Sequence, residues 1–115
     1  MKKIVICGSM KFFDTMKHCA DALRSKGFDV IVPDDGIDVP SDRFIEYKRT
    51  VSRQHFDAIA APDTDAVLVV NQDKNDMPNY IGANTFAEIA MAFYFEKKIY
   101  LLNDIYKPYA VELAA

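Results

Sequence analysis

The sequence has no tryptophan and only two cysteines, Cys7 and Cys19, among its 115 residues. The cysteines form neither a CxxC pair nor a larger cysteine–histidine cluster along the chain, so the sequence does not predict a zinc site. Both fall within predicted secondary-structure elements. We therefore interpret them as free thiols in a reducing compartment.

A strong positive charge and a long apolar run are also lacking. The net charge is -3, and no basic stripe appears, so the sequence does not predict a nucleic-acid partner. The apolar run that follows two N-terminal lysines ends at Cys7 and Gly8, which is too short for a signal peptide or a membrane span. We expect a cytoplasmic protein with no membrane partner. A small anionic ligand, which needs only a local site, is compatible with this composition.

Hydrophobic residues make up half of the chain and alternate between two kinds of pattern. Apolar runs at residues 4–7, 28–32, 66–70 and 99–102 predict buried strands, and residues 10–26 and 42–59 and a segment ending near 96 predict helices. Strands that alternate with helices predict one α/β domain over residues 1–115. We expect a three-layer sandwich with a parallel sheet of order 2-1-3-4, flavodoxin-like or Rossmann-like.

Three polar or glycine-bearing segments follow or connect these apolar elements. They are residues 8–10, 71–73 and 82–88. In a sheet of this order, ligands bind at the carboxyl ends of the strands where the order reverses, so we expect the three segments to meet there. The acidic loop of residues 34–40 is a candidate lid over this crevice.

Glu88 has two interpretations from its local sequence. With Thr85 three residues before it and an apolar run after it, Glu88 matches a capping box, in which its carboxylate folds back on its own helix. Alternatively, the positive end of the helix stabilises the carboxylate as an anion for use as a nucleophile. The expected convergence of the three segments favours the second interpretation.

Three stretches of the chain, residues 6–10, 65–70 and 84–92, resemble the nucleoside 2-deoxyribosyltransferase superfamily, which includes the deoxynucleoside monophosphate N-glycosidases. The resemblance extends to about Leu102. It implies that Glu88 is the nucleophile at the anomeric carbon of the sugar. It also implies that Gly8, Ser9 and Met10, with Lys11, hold the sugar or a 5′-phosphate.

The chain departs from the family pattern at two places. Gly82 stands where members carry aspartate or serine, and Asn84 stands where they carry glycine. His55 occupies the position of a family aspartate, although a shifted register would place Asp57 there. His55 or Asp57 is thus the candidate acid that protonates the leaving base, and Asp73 is a third choice. The remaining candidate contacts to substrate are Asn71, Asp73, Gly82, Asn84 and Thr85.

The predicted activity is cleavage of an N-glycosidic bond or transfer of a deoxyribosyl group. The enzyme is a hydrolase if water accepts the sugar, and a transferase if a second base does. Neither route requires a metal or an organic cofactor. The alternative is a non-catalytic nucleotide-binding or sensing module on the same fold, which the missing aspartate favours.

The third predicted helix is apolar on nearly every side around residues 89–95. A helix of that kind is buried on every side, which one sheet face cannot accomplish alone. We therefore expect a homodimer or larger homo-oligomer, with Tyr94, Tyr106 and Tyr109 near the contact.

Overall fold

A computed structural model describes residues 2–33 and 40–114. It contains a four-stranded, all-parallel sheet of order β2-β1-β3-β4, which confirms the predicted fold class. The strands are β1 (Lys3–Gly8), β2 (Asp29–Ile31), β3 (Thr64–Val70) and β4 (Lys98–Leu101). The predicted lid lies outside the described residues except at Pro40.

Four helices accompany the strands: α1 (Phe13–Ser25), α2 (Phe44–Ala60), α3 (Ala83–Tyr94) and the short α4 (Ala110–Ala114). A 3-10 turn precedes α1 at Met10–Phe12, and another precedes α2 at Ser41–Arg43. The helix bounds therefore agree with the predicted ones to within a few residues, except at the start of α3.

The sheet separates two apolar layers. Ile6 of β1 packs with Met16 of α1 on one face, while Val5 and Cys7 pack with Ile89 of α3 on the other. Successive strand residues point to opposite faces, which explains how one apolar strand serves both layers. Full burial of each valine or isoleucine contributes about 1.5–3 kcal/mol. This two-sided burial specifies the register of β1 and hence the position of the turn that follows it.

The start of α3 differs from the capping-box prediction. The N-cap residue is Gly82, not Thr85, and no side chain caps the helix. Thr85 and Glu88 lie inside the helix, so the interpretation of Glu88 as the second half of a capping box is wrong. The Ser9 hydroxyl, by contrast, accepts a hydrogen bond from the backbone N–H of Lys11 at 3.3 Å.

The aromatic residues of the predicted contact surface fall into two groups. Tyr106 is buried within its own chain, where its ring contacts Tyr80 and Tyr109. Phe93 and Tyr94 are 70% and 78% exposed and stay candidates for such a contact. None of the helices in the described part of the chain is long and apolar enough to cross a membrane.

Candidate functional site

A cavity of about 590 Å³ opens beside the carboxyl ends of β1 and β2. Its walls come from four places: the turn after β1, the residues after β2, one face of α2 and the start of α3. The residues that line the cavity include Gly8, Ser9, Met10, Phe44, Tyr47, Lys48, Val51, Ser52, His55, Tyr80, Gly82, Asn84, Thr85 and Glu88. Its size falls within the range of about 300–1,000 Å³ typical of small-molecule sites.

Glu88 lies in the cavity wall, although only 6% of its surface is exposed. It is the sixth residue of α3 and stands beyond the turn that Gly82 begins. The residue before it on the same face, Thr85, is also buried and also lines the cavity. The helix thus directs a carboxyl group toward the cavity and away from its own first amides.

His55 reaches the same place from the opposite helix. Its Nε2 atom lies 3.3 Å from Oε2 of Glu88, and the ring lies beside the backbone of Ile6. The cavity-lining residues of α2 recur at steps of three and four, which puts them on a single helical face: Phe44, Tyr47, Lys48, Val51, Ser52 and His55. His55 is the innermost member of that face, and Ile59, one turn further, is fully buried.

Burial determines the proton state of the pair. Loss of solvent raises the pKa of Glu88 to about 8, and it lowers the pKa of His55, although the bond to Ile6 opposes the second shift. Both shifts disfavour charge, so near neutral pH the pair holds one proton between the two side chains. A short movement of that proton converts a neutral acid beside a neutral imidazole into a carboxylate beside an imidazolium.

Cys7 stands behind this pair on β1. Its Sγ atom lies 3.7 Å from Nε2 of His55, and its side chain is fully buried. Burial raises the pKa of the Cys7 thiol well above its usual value, and the nearby Glu88 carboxylate raises it further. Since the thiolate is the reactive form, Cys7 is not an activated nucleophile here.

The upper walls of the cavity combine apolar area with features that favour anions. Phe44, Tyr47, Val51 and Tyr80 contribute aromatic and aliphatic surface, and Lys48 brings a cationic side chain to the wall. Two helical segments begin at the cavity, one after Ser9 and one after Gly82. The start after Gly82 has no side-chain cap, so its free backbone N–H groups attract negative charge, whereas the Lys11 N–H at the other start is bonded to the Ser9 hydroxyl.

Eight of the residues singled out in the sequence line this one cavity. They are Gly8, Ser9, Met10, His55, Gly82, Asn84, Thr85 and Glu88. Two of the three predicted segments therefore meet at the site, together with His55.

The third segment does not reach the cavity, contrary to prediction. Asn71 is fully buried, and its amide bonds to the backbone of Asn103 and Asp104, so its role is to fix the loop after β4. The Asp73 carboxylate accepts the backbone N–H of Asn79 at 3.0 Å. Asp73 and Lys11 line a separate, shallow polar groove, and Asp57 is exposed on α2 outside the cavity. The cavity instead extends toward β2 and α2.

Sequence reasoning missed the contribution of the first half of α2. The apolar residues of this part of the helix differ in their surroundings: Ile45 is 76% exposed, while Phe44 and Val51 face the cavity. The signal was present, because Tyr47, Lys48 and Val51 share the helical face of His55. A helical face that is apolar except for one polar residue is typical of a cavity wall and of a buried core alike.

Comparison of the chain with models of known protein families gave no match, and comparison with curated proteins gave none either.

Proposed function

We propose that the chain cleaves the N-glycosidic bond of a nucleoside or nucleotide, with Glu88 as the nucleophile and His55 as the acid that protonates the departing base. One observation carries this proposal: the Glu88 carboxyl and the His55 ring lie 3.3 Å apart in the wall of a ligand-sized cavity. Cleavage of this bond develops positive charge on the sugar, and a carboxylate beside the anomeric carbon stabilises that charge or bonds to it.

The single proton of the pair is sufficient for the first step. In the reacting form His55 carries the proton and Glu88 is the carboxylate. The carboxylate oxygen bonds to the anomeric carbon while the carbon–nitrogen bond breaks, and the imidazolium gives its proton to the base. A glycosyl ester, a neutral imidazole and a free base result, so charge and protons balance.

The second step restores the pair. Neutral His55 removes a proton from water, which attacks the anomeric carbon and releases Glu88 as the carboxylate. If a second base attacks in place of water, the product is a new nucleoside and the enzyme is a transferase. The geometry of the pair serves either acceptor.

The cavity walls favour a nucleoside or nucleotide over a simple sugar. Tyr80 and Phe44 offer flat apolar surface of the kind on which a base stacks. Lys48 and the helical start after Gly82 suit an anionic group such as a 5′-phosphate. The resemblance of the sequence motifs to the deoxyribosyltransferases supports the same substrate class.

One observation favours a second candidate function, a nucleotide-binding module without catalysis. Because the pKa of Glu88 is raised to about 8, its carboxyl is neutral for much of the physiological range. A neutral carboxyl donates a hydrogen bond, so it suits the recognition of a carbonyl or ring nitrogen of a base. In that case ligand binds tightly and no bond breaks.

The experiment that separates these functions measures free base by chromatography after incubation with a panel of nucleosides and nucleoside 5′-monophosphates. The glycosidase proposal predicts release of base by the wild-type protein and loss of release in Glu88→Gln. Calorimetry on the same panel is the parallel measurement. Binding without release would favour the module, and release that survives in Glu88→Gln would refute the role of Glu88.

Glu46→Gln is the matched control for this experiment. Glu46 is exposed on α2, and its side chain is not among the residues that line the cavity. We expect it to retain wild-type base release, so a loss confined to Glu88→Gln reports the site and not the net charge of the protein.

A further inference from the structure

We propose that Cys7, His55 and Glu88 together bind one divalent metal ion of the zinc class at the floor of the cavity. Sγ of Cys7 lies 3.7 Å from Nε2 of His55, which in turn lies 3.3 Å from Oε2 of Glu88. The three ligand atoms lie within 4.8 Å of one another, and all three residues are buried. One ion placed between the three ligand atoms can contact all of them.

The two measured separations fit a tetrahedral ion. Zinc bonds of about 2.3 Å to sulfur and about 2.0–2.1 Å to nitrogen and oxygen place tetrahedral ligands about 3.6 Å apart for S and N and about 3.4 Å apart for N and O. The third pair, Cys7 with Glu88, lies within 4.8 Å. Glu88 has a longer, more adaptable side chain than Cys7, so it is the ligand that adjusts.

The ligand types select the same class of metal. A thiolate, an imidazole and a carboxylate are all ligands that zinc accepts, while the hard ions Ca²⁺ and Mg²⁺ prefer oxygen alone. A dication with one thiolate and one carboxylate is formally neutral, which reduces the cost of burying the charges.

The fold makes the cluster both rigid and accessible. Cys7 comes from β1, His55 from α2 and Glu88 from α3, and the three elements belong to one packed layer. Because His55 and Glu88 line the cavity, an ion can reach the floor through it. Three protein ligands leave a fourth position for water or for an anionic ligand in the cavity.

Metal binding has a consequence for the proposed glycosidase, and this consequence alone rests on that proposed function. An ion bound to the Glu88 oxygen and to Nε2 of His55 occupies the nucleophile and the acid together. Zinc would therefore inhibit base release in competition with substrate. The binding site itself does not depend on what reaction the cavity supports.

The test begins with protein treated with a chelator and then dialysed, which is titrated with zinc chloride in a calorimeter. We expect one ion per chain in the wild-type protein and at least about tenfold weaker binding in Cys7→Ser and in Glu88→Gln, since even outer partners of a metal cost that much. Co²⁺ in place of zinc provides a spectroscopic readout. A thiolate-to-cobalt charge-transfer band in the wild-type protein should vanish in Cys7→Ser.

Two control variants and a fold check make the result decisive. Cys19→Ser and His18→Gln change the other cysteine and the other histidine, both on α1, and should retain full binding and the cobalt band. Circular dichroism and thermal unfolding show whether Cys7→Ser is folded. If it is not, the zinc titration of Glu88→Gln decides the result. Absence of binding to wild type, or binding that is unchanged in Glu88→Gln, would overturn the proposal whatever the outcome of the base-release assay.

Discussion

The His55 ring and the Glu88 carboxyl lie 3.3 Å apart, on two different helices, in the wall of the cavity. Both side chains are at least nine-tenths shielded from solvent. Burying an acid beside a base lowers stability unless the two side chains hold a single proton between them. The proposed reaction uses this proton.

Replacement of His55 tests its part in that reaction. We expect His55→Gln to lower the rate of base release by about 10²–10⁴-fold, the usual contribution of a general acid, while ligand binding measured by calorimetry changes much less. His18→Gln replaces the only other histidine of the chain and should have the wild-type rate. Equal rates for the two variants would exclude His55 as the acid.

The raised pKa of Glu88 predicts how stability depends on pH. The folded chain ionises Glu88 near pH 8, and the ordinary value is 4.5, so the stabilising effect of the neutral acid is present at low pH and is lost as pH rises toward 8. His55 behaves in the opposite sense, because its pKa is lowered from 6.5, and its effect is lost as pH falls below 6.5.

Just below pH 6.5 the two effects oppose each other, because the unfolded chain then holds a proton on His55 while the folded chain holds one on Glu88. From pH 6.5 to 8 only the folded chain holds a proton on the His55–Glu88 pair, so the free energy of unfolding should fall by about 2 kcal/mol. Urea unfolding across this range measures the fall, which Glu88→Gln should abolish and Glu46→Gln should retain. A level profile in the wild-type protein would contradict the assignment.

Asn71 provides a prediction about structure alone. Its amide accepts the backbone N–H of Asn103 at 2.9 Å and donates to the Asp104 carbonyl at 2.8 Å in a fully buried place. Asn71→Ala leaves these groups without partners and should lower the free energy of unfolding by about 2–4 kcal/mol. Urea denaturation measures the change. Asn75→Gly, at an exposed position with φ of 46°, should have little effect.

Two glycines at the cavity predict different tolerance for a methyl group. A Cβ at Gly8 would lie 2.9 Å from the Val70 carbonyl oxygen, which belongs to the rigid neighbouring strand. Gly8→Ala should cost about 1–3 kcal/mol of stability and disturb the turn at Ser9. At Gly82 the nearest atom is the hydroxyl of Tyr80, at 3.0 Å, which can swing aside. Thermal unfolding should therefore show a smaller loss for Gly82→Ala than for Gly8→Ala.

The exposed aromatic end of α3 predicts self-association. Phe93 and Tyr94 present apolar area to solvent in the single chain, and burying it in a partner is favourable. Sedimentation at micromolar concentration should give a dimer or larger species, and Tyr94→Glu should shift it to monomer. Ile45→Glu, on the exposed side of α2, is the control and should not. A 13.0 kDa monomer for the wild-type protein would contradict the prediction.

The fold followed from the sequence because its signals are local and redundant. Four apolar runs between helical stripes leave few arrangements, and the predicted order 2-1-3-4 is the observed one. The site was only partly predictable. Glu88 and His55 attracted attention as polar residues in apolar segments, but whether Asn71 points to the cavity or to the chain behind it depends on the loop after β4.

Cys7 shows the limit most clearly. The alternation of side chains along β1 puts Cys7 on the same face as Val5, yet nothing local tells which helix layer covers that face. Its neighbours, His55 and Glu88, come from distant parts of the chain, so no spacing of metal-ligating residues exists for a sequence pattern to detect. A cluster of this kind becomes visible only when tertiary packing brings three elements together.

Mass spectrometry of the protein quenched in acid during turnover shows whether Glu88 bonds to the sugar of a bound nucleoside or nucleotide. We expect a protein species heavier by one glycosyl group, with peptide mapping placing the ester on Glu88 and no such species in Glu88→Gln. Base release by the wild-type protein with no adduct at Glu88, or with an adduct on another residue, would contradict it.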